Sequence, residues 1–465
     1  MLPEGLPRHS APAGNGFRES LSSYPAFRPR QSLPDRSEYV KLRSGVSSVL
    51  VAPRLSSEAG VVEANVQEWP ATAALIIAEV IGSGVLALGG QMAVVGLAVG
   101  SLVLALCYPA NVFTSLLLGK VRQEVTSTVT FGDGLTVLLG TTAGRYGYAV
   151  AYSYLFMCMA NYLILIGDSV QASIYWEVIC SPSACFIGTI LLLPINQFRT
   201  LSGLTLLSVI SFATVVATLI LCLWTLLTNP SCESPGRTGH GFLDYSSCIS
   251  GFVFAFTGQN IMLEMQAEMK TPSDFPKAVW LSFSTLFTVY ATVAVLSYLA
   301  CGENTPGDLL LVLPHDWRKS AAGVLMVIHL MVTYTISQQV LSRAICAYLL
   351  PEALQDGIVA RFKWFFVTSA MMAACFLVAN LIPLFQDIVN LTGALLSSQV
   401  VFILPSVLFL AVCPYEVAKL EGTLATWIGC WCAIFVGIYL ALVGTVSSVL
   451  VIASKLSSGS GPFSC

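Results

Sequence analysis

From Trp69 almost to the last residue, apolar stretches long enough to cross a bilayer, about 17 to 25 residues, alternate with short polar joints. The pattern predicts spans at 70–94, 95–118, 145–175, 183–197, 201–228, 246–268, 276–301, 319–349, 362–382, 387–412 and 424–453. That makes eleven spans. The first two are joined by almost nothing and the fourth is short, so counts of ten and twelve stay open. Residues 1–68 read differently. They hold eight Lys or Arg, seven Asp or Glu and seven Pro, too little apolar surface to offset the entropy of ordering, which predicts a disordered tail. No run of seven apolar residues occurs there, against a cleaved signal peptide. The expected organisation is a tail at 1–68, a membrane domain at 69–453 and a short C-terminal tail at 454–465, in an all-α polytopic protein.

Composition agrees. Of 465 residues, 55% are apolar and only 10% are Asp, Glu, Lys or Arg, whereas soluble domains carry about 25% charged residues. Mean hydropathy is +0.78. A net charge of -3 excludes a basic nucleic-acid binder. Four scattered histidines and no C-x-x-C pair among fourteen cysteines leave no catalytic or metal cluster, so no enzyme and no cofactor are expected.

Charge placement sets the orientation. With the tail cytoplasmic, ten basic residues outside the tail fall on the inside, including Lys120, Arg199, Lys270 and Arg343. Four fall outside: Arg237, Arg318, Lys319 and Lys455. This excess fits eleven spans with the N-terminus inside. The outside loops carry Cys180, Cys185, Cys232 and Cys248. A disulfide among these or with Cys301, and buried free thiols, are both open readings.

Two spans are interrupted. In the first, Gly82-Ser83-Gly84 falls near the middle, where glycine weakens a helix. In the sixth, Thr257-Gly258-Gln259-Asn260 follows Phe256 and precedes Glu264. Unwound backbone at membrane depth is tolerated only when it lines a cavity or is buried in protein. Close helix packing on small residues is the competing explanation. Spans one and six stand five apart, which matches a five-plus-five inverted repeat with an eleventh helix appended, the arrangement in which paired breaks mark a transport site.

The stretch from Ala78 to Leu88, AEVIGSGVLAL, resembles the first-helix motif of the amino acid/auxin permease family. Phe254 to Asn260, running on through Glu264 and Lys270 to Pro276, is similar to that family's sixth helix and following loop. Weaker similarities lie at Val327-Ile328-His329 with Tyr334, at Leu163 to Asp168, and across Pro383 to Pro405. The nearest motifs are those of the plant-type lysine/histidine-transporter-like and amino acid permease branches. The resemblance covers residues 69–453 and implies the LeuT-type fold, with broken helices 1 and 6 and eleven helices, and amino acid transport. Two positions depart from it: Gln259 stands where many relatives have His, and Glu79 where the plant motif has a small residue.

Freed amides at Gly82, Ser83 and Gly84 suit a substrate carboxylate, and freed carbonyls from Phe256 to Gly258, with Asn260, suit an ammonium. Ser83 and Thr257 add hydroxyls, and Asn161 and Tyr162 are candidates for the side-chain pocket. For the coupling ion, a charged carboxylate at mid-bilayer costs about 2.5–3.5 kcal/mol, so Glu79 needs a partner, a cavity or a proton. His329 is a second protonation candidate. Asp168, Glu268 and Asp387 stand near helix ends as gate or solvated charges. Thr333 and Ser337 are the oxygens sodium would use with the first break. Sodium-coupled relatives usually carry an Asn in the first helix, and none lies between Trp69 and Asn111, which favours H+ over Na+. The expected function is proton-coupled amino acid symport by alternating access, in a plasma or vacuolar/lysosomal membrane. The alternatives are a sodium-coupled carrier, a vacuolar or lysosomal exporter, and a sensor signalling through its tail. No protein partner is indicated.

Overall fold

The apolar runs fold as helices, because in hydrocarbon each backbone N–H and C=O must find its partner within the segment. The structure, a computed structural model, describes residues 67–177, 179–197, 204–232, 241–382, 384–420 and 422–457. The predicted tail before Gln67, the last eight residues, and Arg199, Arg237 and Pro383 lie outside the described residues. The first part of the chain comprises α1 (Trp69–Val80), α2 (Gly84–Val95), α3 (Leu97–Glu124), α4 (Phe131–Leu139), α5 (Thr141–Ser173) and α6 (Ser181–Ile195). The middle adds α7 (Leu204–Thr228), α8 (Phe242–Ala255), α9 (Gln259–Glu268) and α10 (Phe275–Cys301). There follow α11 (Trp317–Leu349), α12 (Ile358–Leu381), α13 (Phe385–Thr392), α14 (Leu404–Val412), α15 (Tyr415–Leu420), α16 (Leu424–Tyr439) and α17 (Thr445–Ser457). Wider π turns link α13 to α14 and α16 to α17.

Among the described residues, eight helical stretches are long and apolar enough to cross a membrane, and nine when α1 and α2, bent by 58°, count as one. The shortfall from eleven has a physical source. Helix α6 has 15 residues, and α8 and α9 have 14 and 10, each below the ~20 that a continuous span requires. The near-absent joint between the first two predicted spans is a single residue, Gly96, whose φ of +78° lets the chain reverse. Helix α4, started by a capping box between Thr130 and Asp133, was not foreseen by the apolar pattern, because nine residues between two spans leave no periodic signature.

Helices α5, α7 and α11 pack together, while α1 and α2 lie against α10, and α2 also against α8. Polar side chains tie the bundle where apolar contact alone gives no preference between helix and lipid. Gln91 of α2 donates to Asn390 of α13. Asp387, near an end as expected, is not solvated: it is buried and ion-paired, accepting from Lys455 of α17 at 2.6 Å. At one end of the bundle, Gln67 pairs with the segment after α9. Its backbone bonds Glu268 and Lys270 at 3.2 and 2.8 Å, and its side chain donates to Glu268 at 3.0 Å.

The opposite end, reached along α10, carries a disulfide between Cys232 and Cys301. Cys180 is also disulfide-bonded, whereas Cys185 and Cys248 are buried thiols outside any disulfide. The bridge closes a loop across 69 residues, and cross-links of this kind contribute about 2–4 kcal/mol. Cys232→Ser, Cys301→Ser and the double variant are therefore expected to lower the thermal midpoint in detergent by one common amount. A double variant that falls well below either single one would show that the thiols act separately.

Candidate functional site

Both interruptions foreseen in the sequence are present, and they face each other. Helix α1 ends at Val80 and α2 begins at Gly84, while α8 ends at Ala255 and α9 begins at Gln259. The fit is backbone to backbone at Gly84 and backbone to side chain at Gly258. A Cβ added at Gly84 would lie 2.6 Å from the Cα of Ala255, and one at Gly258 would lie 2.6 Å from a methyl of Val80. Only glycine permits that approach. At Gly82 a Cβ would meet nothing within 4 Å, so open space adjoins this residue.

Each break has its own polar supports. The Val80 carbonyl, at the end of α1, accepts from the Gly82 amide and from the Tyr290 hydroxyl of α10, each at 2.9 Å. Ser83 is the N-cap of α2 but does not cap it. Its hydroxyl accepts from Asn161 of α5 at 2.9 Å, so the first amides of α2 lack the side-chain oxygen that an N-cap serine normally supplies. In the second break, the Thr257 hydroxyl donates to the Val253 carbonyl at 2.9 Å and the Gly258 amide to the Gln259 side chain at 3.1 Å. Phe256 sets its ring edge-on to Tyr290 at 4.9 Å. Gln259 is anchored to α3, donating to Asn111 at 2.9 Å and Thr114 at 3.1 Å. Asn260 is half-buried.

The two halves of the first broken helix are enclosed unequally. Every residue of α2 is buried, whereas α1 buries only Thr72, Ala73, Ile76 and Val80. Glu79 stands exposed on the remaining face, and no ion pair to it is found among the described residues.

The remaining candidates lie elsewhere. His329 is buried and shares a 2.9 Å hydrogen bond with Ser211 of α7, tying α11 to α7. Thr333 donates within its own helix, to the Leu330 carbonyl at 3.1 Å, and Ser337 is buried further along. Two supports went unread in the sequence: Tyr290, and the α3 set Asn111, Thr114 and Ser115. Polar residues inside the apolar run 95–118 were the visible signal for the latter. Asp308 was missed as well. It lies outside the predicted spans but is buried.

The supported pair of breaks can offer amides and carbonyls to a small polar molecule, with a carboxylate one turn away. Comparison with known proteins points the same way. The chain is 26% identical to "Amino acid transporter AVT1C" of Arabidopsis thaliana, across 74% of this chain and 63% of that protein. It is 25% identical to "Amino acid transporter ANT1" of the same plant, across 76% and 85% respectively. With "Lysine histidine transporter-like 6", also of that plant, it shares 23% across 80% and 88%. The chain spans just under two thirds of the length of AVT1C and of its relatives AVT1B and AVT1D. Over residues 65–450 it matches the family described as transmembrane amino acid transporter protein, and the chain belongs to that family.

Proposed function

We propose that the chain is a secondary active transporter that carries amino acids by proton-coupled symport. The observation that carries this reading is the abutment of two helix breaks, Gly84 on Ala255 and Gly258 on Val80. The span count then closes at eleven, with α1–α2 and α8–α9 each taken as one broken span and α6 as a short one. Two five-span inverted halves and an appended eleventh span follow, with the substrate between the breaks. The end carrying Gln67 is cytoplasmic, a reading supported by the excess of Lys and Arg there and by the disulfides at the other end. The membrane is either the plasma membrane or a vacuolar/lysosomal one.

The substrate carboxylate takes the uncapped amides at the start of α2, where the helix dipole favours an anion. The ammonium takes carbonyls of residues 256–258 at the end of α8, where the dipole favours a cation. Enclosure of α2 and the open face of α1 correspond to a state open toward the cytoplasm. Glu79, exposed just before the first break and without a cationic partner among the described residues, carries the proton. One turn separates it from the break, so occupancy of the carboxyl and closure on substrate share one hinge. Each proton moving down 100 mV supplies about 2.3 kcal/mol, enough for a roughly fiftyfold concentration ratio by the rule that 1.4 kcal/mol is tenfold.

Uptake of radiolabelled amino acids by proteoliposomes under imposed pH or sodium gradients is the direct test. Accumulation driven by an inward proton gradient is expected, and accumulation that follows sodium alone would overturn the coupling. Glu79→Gln is expected to abolish pH-driven accumulation while leaving folding and membrane delivery intact. Unchanged pH dependence in that variant removes Glu79 from the mechanism. The glycines separate packing from binding. Gly84→Ala should cost about 1–3 kcal/mol of stability by forcing the two breaks apart. Gly82→Ala should leave the melting temperature unchanged but cut uptake at least tenfold, because its methyl enters the space given to substrate. Wild-type uptake by Gly82→Ala would mean that the open space beside Gly82 is not the substrate's.

A further inference from the structure

At the disulfide end the bundle opens into a cleft of about 530 Å³, between the end of α5, the segment after α10, and the starts of α11 and α13. A cleft of that size suits a small organic molecule better than a bare ion. Its walls carry both signs of charge: Asp168 and Asp308, with Lys319 beside Asp308.

Two of its side chains are buried with an unsatisfied atom. Asp308 is 3% exposed; its Oδ1 accepts from the Leu310 amide at 3.0 Å, and its Oδ2 has no hydrogen-bond partner. Gln386 is 8% exposed, and its Nε2 has none either. Buried polar atoms are nearly always satisfied, and leaving one unmade costs about 1–3 kcal/mol, more when it is charged. Here an orphaned anionic acceptor and an orphaned donor border one cavity. Burial pushes the Asp308 carboxyl upward, while the Leu310 amide and Lys319 hold it down, so a cation delivered to Oδ2 would stabilise its charged form.

We propose that this cleft binds a zwitterionic α-amino acid at a second site, with its ammonium on Asp308 and Asp168 and its carboxylate on Gln386 and Lys319. The choice of an amino acid rests on the transport reading above; the pairing of charges does not. The site is separate from the helix breaks. Asp168 lies seven residues beyond Asn161 on α5, about 10 Å at 1.5 Å per residue. Between the two, α2 presses on the floor of the cleft. A Cβ at Gly90 would lie 2.6 Å from the Cα of Gly307 and 3.0 Å from Gln386. Gln386, one of the residues that would hold the second amino acid, is thus among those against which α2 packs.

Equilibrium binding of radiolabelled L-alanine to the full chain in lipid nanodiscs tests this, with ethylammonium and propionate as competitors that each carry one of its two charges. Asp308→Asn and Asp168→Asn, checked for wild-type melting behaviour, should each bind one alanine fewer per chain than wild type at matched concentration, or bind it at least tenfold more weakly. Gly258→Val, which fills the break and leaves the cleft intact, should retain that same alanine. Both competitors should displace it from the wild-type chain. Equal alanine binding by wild type and both Asp variants overturns the second site and leaves transport standing. Loss of one alanine in those variants, in a chain that takes up no amino acid into proteoliposomes, upholds the site and overturns transport.

Discussion

A peptide group stripped of its helical partner in the middle of a membrane has no water to turn to, and the architecture of this chain follows from that constraint. Two helices stop and restart, at residues 81–83 and 256–258. Both breaks persist because side chains of a neighbouring helix and of the broken helix itself supply what the backbone has lost. Tyr290 takes the Val80 carbonyl, Thr257 folds back on Val253, and the side chain of Gln259 receives the Gly258 amide while its own amide is held by α3. Long apolar helices around them, α3, α5 and α10, serve as scaffold for two short irregular segments.

The interruptions were legible because glycine and polar residues stand out in an apolar run. The predicted Gly82-Ser83-Gly84 and Thr257 to Asn260 overlap the observed breaks, although Gly84, Gln259 and Asn260 already belong to the helices that follow. Helix edges lie within six residues of the predicted span edges, although only eight or nine stretches among the described residues are long and apolar enough to cross a membrane. What the letters could not carry was partnership across long separations. Asn161 meeting Ser83 joins residues 78 apart, and Gln91 meeting Asn390 joins residues 299 apart. No periodicity encodes such pairs. Asp387 illustrates the error this produces: near a helix end it reads as solvated, yet Lys455, 68 residues on, covers it.

Gln259 shows how a departure from a family pattern acquires a physical meaning. Where relatives present an imidazole, this chain presents an amide that both accepts and donates. The structure uses both capacities at once, toward Gly258 and toward Asn111 and Thr114. An amide holds no titrating proton, so the start of α9 is tied to α3 in a way that does not vary with pH. Glu79, just before the first break, has no ion pair among the described residues.

The Cys232–Cys301 bridge has a mechanical corollary. It encloses α8, the second break, α9 and α10 within a covalent loop. A pulling force that reaches Cys232 passes through the bridge and bypasses that whole segment. Unravelled from the membrane, this loop alone would withhold about 24 nm of contour, taking roughly 3.5 Å for each of the 69 residues. The withheld length would return only when the sulfurs are reduced. The stretch holding one of the two breaks is thus shielded from tension for as long as the bridge stands.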